Sequence, residues 1–309
     1  MSNKLIVILG PTCTGKTFLA VNLCKRFNGA IISADSRQVV RFMDIGTGKV
    51  PAGENHQQIA KLVDKWIVDG VDISGYDLVS PDEYFSAYNF VQYYQRIFPR
   101  VSRNGKSVFL VGGTGFYIDA VTGRAALAEI SPNMKLRKSL EKLSTEELAE
   151  KLCELDESIY KIIDTKNPAR LVRAIERATQ TSSVVASGMT IHNPVYIGLT
   201  AEREILYNRA DRWVDGIFTE KLFEEVQLIQ TRFPKSHRLK GLIYTSSVDY
   251  LTGLIPLEEA KQQAKFAMHA YIRRQQTWFK RNPEIKWLDI SNKNFDSEAS
   301  SIVQSELNG

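Results

Sequence analysis

The stretch Leu5-Ile6-Val7-Ile8-Leu9-Gly10-Pro11-Thr12-Cys13-Thr14-Gly15-Lys16-Thr17 constrains the fold more than any other part of the chain. Five consecutive apolar residues, three of them β-branched, read as a strand buried on both faces, as in a parallel sheet. Gly10 to Thr17 then follows G-x-x-x-x-G-K-[ST], and Phe18 to Phe27 continues as a helix with an apolar face. Strand, glycine loop and helix form the context that the pattern requires. Backbone N–H groups of such a loop converge on phosphate oxygens, helped by the positive end of the following helix. Gly10, Pro11, Thr12, Cys13, Thr14, Gly15, Lys16 and Thr17 are therefore the candidate phosphate cradle. Lys16 adds a mobile point charge, and the Thr17 hydroxyl is a candidate Mg²⁺ ligand.

With 309 residues the chain is long enough for one large unit and a smaller one. Charged residues at 24% and hydrophobic residues at 43% are ordinary for a globular protein, so composition excludes a disordered or fibrous chain. No apolar run approaches the roughly 20 residues of a bilayer span. Met1-Ser2-Asn3-Lys4 runs straight into the first strand and leaves no room for a signal peptide. Cys13, Cys24 and Cys153 are odd in number, which favours a reducing compartment. The expectation is a cytoplasmic protein, acting as a monomer, with no membrane partner. The four histidines have no metal-ligand spacing, which argues against a structural zinc. A formal charge of +5 permits a polyanionic partner without demanding one.

Along the chain, Ala30-Ile31-Ile32-Ser33-Ala34 reads as a second strand that ends in Asp35-Ser36-Arg37-Gln38. Strand ends on the phosphate-loop side of an open α/β sheet line the ligand crevice, so Asp35 is placed to face Lys16. An Asp that merely caps the next helix stands equally open. Gln57 to Val68 is weakly helical. Ser80-Pro81-Asp82-Glu83 carries a start signal for a long helix from Asp82 to Arg103. Ser107 to Val111 is a third strand, and Gly112-Gly113-Thr114-Gly115 after it is a candidate wall of the same site.

From about Ala125 to Ser187 no good strand occurs. Four helices are expected there, at Asn133 to Leu143, Thr145 to Leu155, Asp156 to Ile163 and Pro168 to Gln180. Arg170, Arg173 and Arg177 share a face of the last one. They are either a solvated face partly neutralised by Glu176 or a contact to a phosphate backbone. Ser182 to Asn193 reads as a polar loop. Val195 to Leu199 returns as a strand, Ala201 to Arg232 is helical, and a last helix runs from Ile255 through Lys280. Its end, His269 to Arg281, interleaves cations with aromatics, which suits phosphates and stacking on unpaired bases. An ordinary basic helix end fits it too. Ile285 to Leu288 is a closing edge strand, and Ser291 to Gly309 reads as a polar tail.

Six blocks in order carry a resemblance. They are Gly10 to Thr17, Asp35 to Gln38, Met43-Asp44-Ile45-Gly46-Thr47, Gly112 to Tyr117, Asn167 to Glu176, and Arg273-Arg274-Gln275-Gln276-Thr277-Trp278-Phe279. Together they resemble the tRNA dimethylallyltransferase (tRNA isopentenyltransferase) family over nearly the whole chain. The resemblance implies a P-loop NTPase-like α/β core at 1–124 and 194–290, with an inserted all-helical domain at 125–193 that clasps a tRNA anticodon stem-loop, and a tail at 291–309. It implies transfer of a dimethylallyl group from its diphosphate to N6 of adenine 37, with Mg²⁺ as cofactor. In that frame Asp35 matches the general base, Thr114 the site threonine, and Arg212 an arginine that reaches the diphosphate. Asp35, Ser36, Arg37, Gln38, Arg137, Ala169, Arg170, Leu171, Val172, Arg173, Lys240, Tyr244, Arg273 and Arg274 fall where the family touches tRNA. The chain departs from the family where Val40 replaces Tyr, Phe42 replaces Gly, Ile243-Tyr244-Thr245 replaces Gly-Tyr-Lys, and His269 replaces Arg. Prenyl transfer to free adenine nucleotides and a P-loop kinase of a small metabolite remain alternatives.

Overall fold

The apolar run after the N-terminus forms β1 (Leu5–Leu9), wholly buried, with the glycine loop leading from it into α1 (Lys16–Arg26). A computed structural model describes residues 4–49, 58–125, 133–179 and 193–308. After β1, the strands in chain order are β2 (Gly29–Ser33), β3 (Ile59–Lys61), β4 (Trp66–Val68), β5 (Val71–Ser74), β6 (Ser107–Gly112), β7 (Val195–Thr200) and β8 (Lys286–Asp289). They form one sheet in the order β3-β4-β5-β2-β6-β1-β7-β8. From β5 to β8 every pairing is parallel, whereas β3, β4 and β5 pair antiparallel at one edge. β1 lies between β6 and β7, which explains an apolar run without polar alternation.

Two further helices precede the helical unit: α2 (Ala87–Val101) and α3 (Gly115–Val121). That unit holds α4 (Met134–Leu140), α5 (Thr145–Leu155), α6 (Glu157–Tyr160) and α7 (Pro168–Thr179). The chain then adds α8 (Arg203–Ile217), α9 (Glu220–Arg232), α10 (Leu242–Leu251), α11 (Leu257–Phe279) and α12 (Phe295–Asn308). The chain divides into two compact units, Met1–Ala125 with Met189–Gly309, and Ala126–Gly188. The larger is built around the sheet. The smaller has its own core of Leu140, Leu148, Leu152, Leu171, Ala174 and Ile175.

Three local expectations are corrected. Residues 59–68 hold strands rather than a weak helix, because Trp66 and Val68 are buried on either side of a more open Ile67. Asp69-Gly70, both at positive φ, closes the β4–β5 hairpin as a two-residue turn. α2 starts at Ala87, not Asp82: Ser86 and Asn89 make the capping box, while Ser80 and Glu83 close a single turn. The polar C-terminal segment is a helix, α12, whose Ala299 and Val303 sit fully buried on the sheet's core at i, i+4 spacing. The expected polar loop at 182–193 lies almost wholly outside the described residues.

Candidate active site

The phosphate loop owes its shape to backbone conformations and contacts that few residues tolerate. Gly10 has φ +140°, and a Cβ there would fall 2.3 Å from the Leu199 carbonyl oxygen, so only glycine lets the chain turn off β1. The Pro11 carbonyl accepts from the Lys16 ammonium at 2.6 Å and from the Thr14 hydroxyl at 2.9 Å. Pro11 has no N–H to give, and the Thr12 N–H is already donated to Gln275 Oε1 at 2.9 Å. These two positions therefore shape the loop without offering an amide to an anion. Burial pulls the Lys16 pKa down to about 8, against the opposing pull of the Asp35 charge.

Asp35 follows β2 and begins a turn. Its Oδ1 accepts the N–H groups of Arg37 at 2.8 Å and Gln38 at 3.3 Å, and its other oxygen carries no hydrogen bond among the described residues. Thr114, the N-cap of α3, accepts the Ser36 N–H at 2.9 Å and so ties the second glycine turn to the Asp35 turn. Gly112 must be glycine here, since a Cβ would lie 2.1 Å from the Ala34 carbonyl oxygen. Thr12, Cys13, Gly15, Lys16, Thr17, Asp35, Arg37, Gln38 and Gln275 line one cleft of about 720 Å³. Val68, Trp213, Leu242, Met268 and Tyr271 supply much of its apolar wall.

The remaining anticipated residues divide sharply. Arg212 is exposed, and its Nε turns back to the Asn208 carbonyl of its own helix at 3.3 Å. One turn earlier, Arg209 donates from Nε to the Cys13 carbonyl at 2.7 Å, so it and not Arg212 stands at the phosphate loop. Arg37 is held by the carbonyls of Arg238 and Lys240, each at 2.7 Å. Tyr244 is buried beneath the cleft and donates to Glu225 at 2.8 Å. Glu225 also accepts the N–H groups of Asp44, Ile45 and Gly46 at 2.6, 2.7 and 3.1 Å, fastening that loop under the cleft. Its burial pushes the carboxyl pKa up, and these hydrogen bonds only partly counter it. Arg273 donates to the Tyr207 hydroxyl at 2.9 Å, and Arg274 lies over the Tyr271 ring at 5.8 Å.

Two of the family departures have a local account. Phe42 sits at φ +65°, where glycine is the easy residue, and stacks on Phe233 with centroids 5.7 Å apart. His269 bonds Asp211 at 2.7 Å and stacks on Tyr207 at 3.9 Å.

In the helical unit, Glu176 is 0% exposed and does not belong to a solvated face. Arg137 grips it with two bonds of 2.7 Å, Arg173 adds one of 3.1 Å, and the Asn133 N–H one of 2.9 Å. Burial alone would raise the Glu176 pKa, but these donors more than offset it and hold it below the ordinary value. Leu171 is 0% exposed in the unit's core and cannot reach a ligand, and Val172 packs against the same core. Ala169 and Arg170 are exposed, Arg170 pairing with Asp164 at 3.4 Å.

A loop of this shape, an aspartate facing its lysine and a second glycine turn meet in one cleft. The model of one family, described as IPP transferase, matches residues 38–282. The chain belongs to the IPP transferase family. A tRNA dimethylallyltransferase of Halalkalibacterium halodurans is 34% identical, covering 98% of this chain and 96% of that protein. One of Lactococcus lactis is also 34% identical, with 99% of each chain covered. The full-length tRNA isopentenylpyrophosphate transferase of Bacillus halodurans matches in structure at a TM-score of 0.70, with 33% identity over 99% of this chain and 97% of the other. A eukaryotic dimethylallyltransferase solved acting on tRNA has the same fold, at a TM-score of 0.76 and 21% identity, covering 98% of this chain and 78% of that one. IPP transferase membership accounts for the six sequence blocks. Arg209 and Glu225 are polar residues on helices that look ordinary in sequence until the fold brings them to the loops, and Gln275 stands out in sequence only as one member of the Arg273–Phe279 block.

Among the described residues no group of three His, Cys, Asp or Glu side chains is arranged to hold a metal ion, and no helix is long and apolar enough to cross a membrane.

Proposed function

We propose that this chain transfers a dimethylallyl group from dimethylallyl diphosphate to N6 of adenine 37 in a tRNA anticodon stem-loop, releasing diphosphate. The observation that carries the reading is the placement of Lys16 and Asp35 in one cleft with an apolar wall, in a chain of the IPP transferase family. In the reaction N6 forms a bond to C1 of the donor, the C1–O bond to diphosphate breaks, and a proton leaves N6.

The exocyclic amine is a poor nucleophile because its lone pair is delocalised into the ring. A carboxylate that accepts its proton as the bond forms makes it a better one. Asp35 fits this role, with one oxygen fixed by two backbone N–H groups and the other available. Charge gathers on the departing diphosphate, and Lys16, Arg209 and the N–H groups of the loop from Cys13 to Thr17 are its stabilisers. The 5-carbon chain of the donor suits the wall around Trp213, Met268 and Leu242. Thr17 lines the cleft beside Lys16, so its hydroxyl would be the protein ligand to Mg²⁺, an ion that otherwise favours phosphate oxygens and water. When bound, it would neutralise charge on the leaving group. Thr114 keeps the Asp35 turn against the second glycine turn. The acceptor base must leave its stack, which a single-stranded loop makes easy.

The test is incubation with dimethylallyl diphosphate, Mg²⁺ and an unmodified anticodon stem-loop, with AMP as a parallel acceptor, read by mass spectrometry. One prenyl unit on the RNA alone is the expected result. Prenylated AMP, or phosphate transfer from ATP with no prenyl product, would replace this reading. Asp35→Asn should lower turnover by about 10²–10⁴-fold while RNA binding stays at the wild-type level. A variant that keeps near-normal turnover removes Asp35 from the base role.

A further inference from the structure

Gln275, on α11, is 5% exposed and has both ends of its amide committed. Oε1 accepts the Thr12 N–H of the phosphate loop at 2.9 Å, and Nε2 donates to the Gly113 carbonyl of the second glycine turn, also at 2.9 Å. The fit is close, since a Cβ on Gly113 would lie 2.4 Å from Nε2. Gly113 leads into Thr114, whose hydroxyl holds the backbone beside Asp35 at 2.9 Å. The amide therefore bridges the loop that meets the leaving group and the wall that carries the base.

We infer that Gln275 is a positioning residue that sets the separation between the diphosphate loop and the Asp35–Thr114 wall, and hence the alignment of donor carbon with acceptor amine. This rests on the prenyl-transfer reading above. Gln275 need touch neither reacting group. It acts through two neutral hydrogen bonds of opposite sense, so an amide is required: one atom must accept and the other donate. A carboxylate can accept the Thr12 N–H, but its second oxygen repels the Gly113 carbonyl. A protonated carboxyl satisfies both partners again. A thioether of the same length satisfies neither.

The experiment is steady-state prenyl transfer to an anticodon stem-loop by wild type, Gln275→Met and Gln275→Glu across a pH series. Gln275→Met keeps the size of the buried side chain and is expected to lower kcat by about 100-fold. Its KM for dimethylallyl diphosphate should stay within about threefold, because the loss falls on alignment rather than on ground-state binding. Gln275→Glu should be equally slow at neutral pH, and its rate relative to wild type should rise as pH falls toward the carboxyl range. A purely structural role would not produce that rise. Gln275→Met turning over within about twofold of wild type overturns the inference. If Gln275→Met does not fold, Gln275→Glu decides, and a flat ratio against pH overturns it. A wild-type protein that transfers no prenyl group sinks the functional reading itself, and this inference with it. Running all three proteins together tells those failures apart.

Discussion

Two pairs of cations in this molecule look alike in the sequence and are used in opposite ways. In the α/β unit, the Lys16 ammonium rests on the Pro11 carbonyl at 2.6 Å and Arg209 on the Cys13 carbonyl at 2.7 Å. Both partners are neutral, so the positive charge stays available to an anion. The cost is visible at Lys16, where burial lowers the pKa to about 8. In the helical unit, Arg137 and Arg173 rest on the fully buried Glu176. Their charge is answered by a carboxylate, and the three side chains brace α7 against the start of α4. What a basic residue does is therefore set by its first partner: a carbonyl leaves an anion site, and a carboxylate makes a structural clamp.

The largest expected effect comes from breaking the clamp. Glu176→Ala leaves two guanidinium groups without their buried counter-charge and should destabilise the helical unit by about 3–5 kcal/mol, read as an early transition in thermal unfolding. The sign with pH follows from the depressed Glu176 pKa. The stabilisation is fully present above the carboxyl's unfolded value and is lost as pH falls through its native value. A melting curve for Glu176→Ala that matches wild type would mean that the clamp contributes nothing.

Next in size is Lys16→Met, which removes the buried charge from the anion site. Turnover should drop by about 10²–10³-fold with little change in melting temperature. Diphosphate binding by wild type should weaken as pH rises through about 8, because the free protein then loses the Lys16 proton that the bound anion retains. In Lys16→Met that slope should vanish. Titration calorimetry with inorganic diphosphate checks both points, and a slope that survives in the variant assigns the titration to another group.

The smallest effects separate two neighbouring arginines. Arg209→Ala should raise the KM for dimethylallyl diphosphate by about tenfold, the scale of one charge-assisted hydrogen bond. Arg212→Ala should stay within about twofold, since its exposed side chain bonds only the Asn208 carbonyl of its own helix among the described residues. The reverse order would restore Arg212 to the site and make the Arg209 contact incidental.

Much of the α/β unit was legible because its determinants are local. The strand, glycine loop and helix from Leu5 to Phe27 and the Gly112 to Gly115 turn are each specified by neighbours in sequence. The parallel sheet followed from strands without polar alternation. Even the missed hairpin had a signal, since Asp69-Gly70 is the dipeptide that a two-residue turn demands. The errors fall where partners are distant. Tyr244 looked like a recognition residue and is a buried donor to Glu225, 19 positions earlier. The C-terminal segment looked like a tail because its apolar stripe is thin. That stripe, Ala299 and Val303, has a purpose only against the sheet.

The sequence by itself determined a phosphate-loop pattern between a buried strand and a helix of an α/β sheet, with Asp35 across from Lys16. Those features depend on backbone conformations and on a few residues in succession. Tertiary structure alone decided which arginine reaches the loop, which carboxylates are buried, and that Gln275, 263 positions from Thr12, ties the two glycine turns together. Helical spacing says which side chains share a face. Only packing says what that face meets, and the neutral or charged partner found there decides whether a charge is spent or kept.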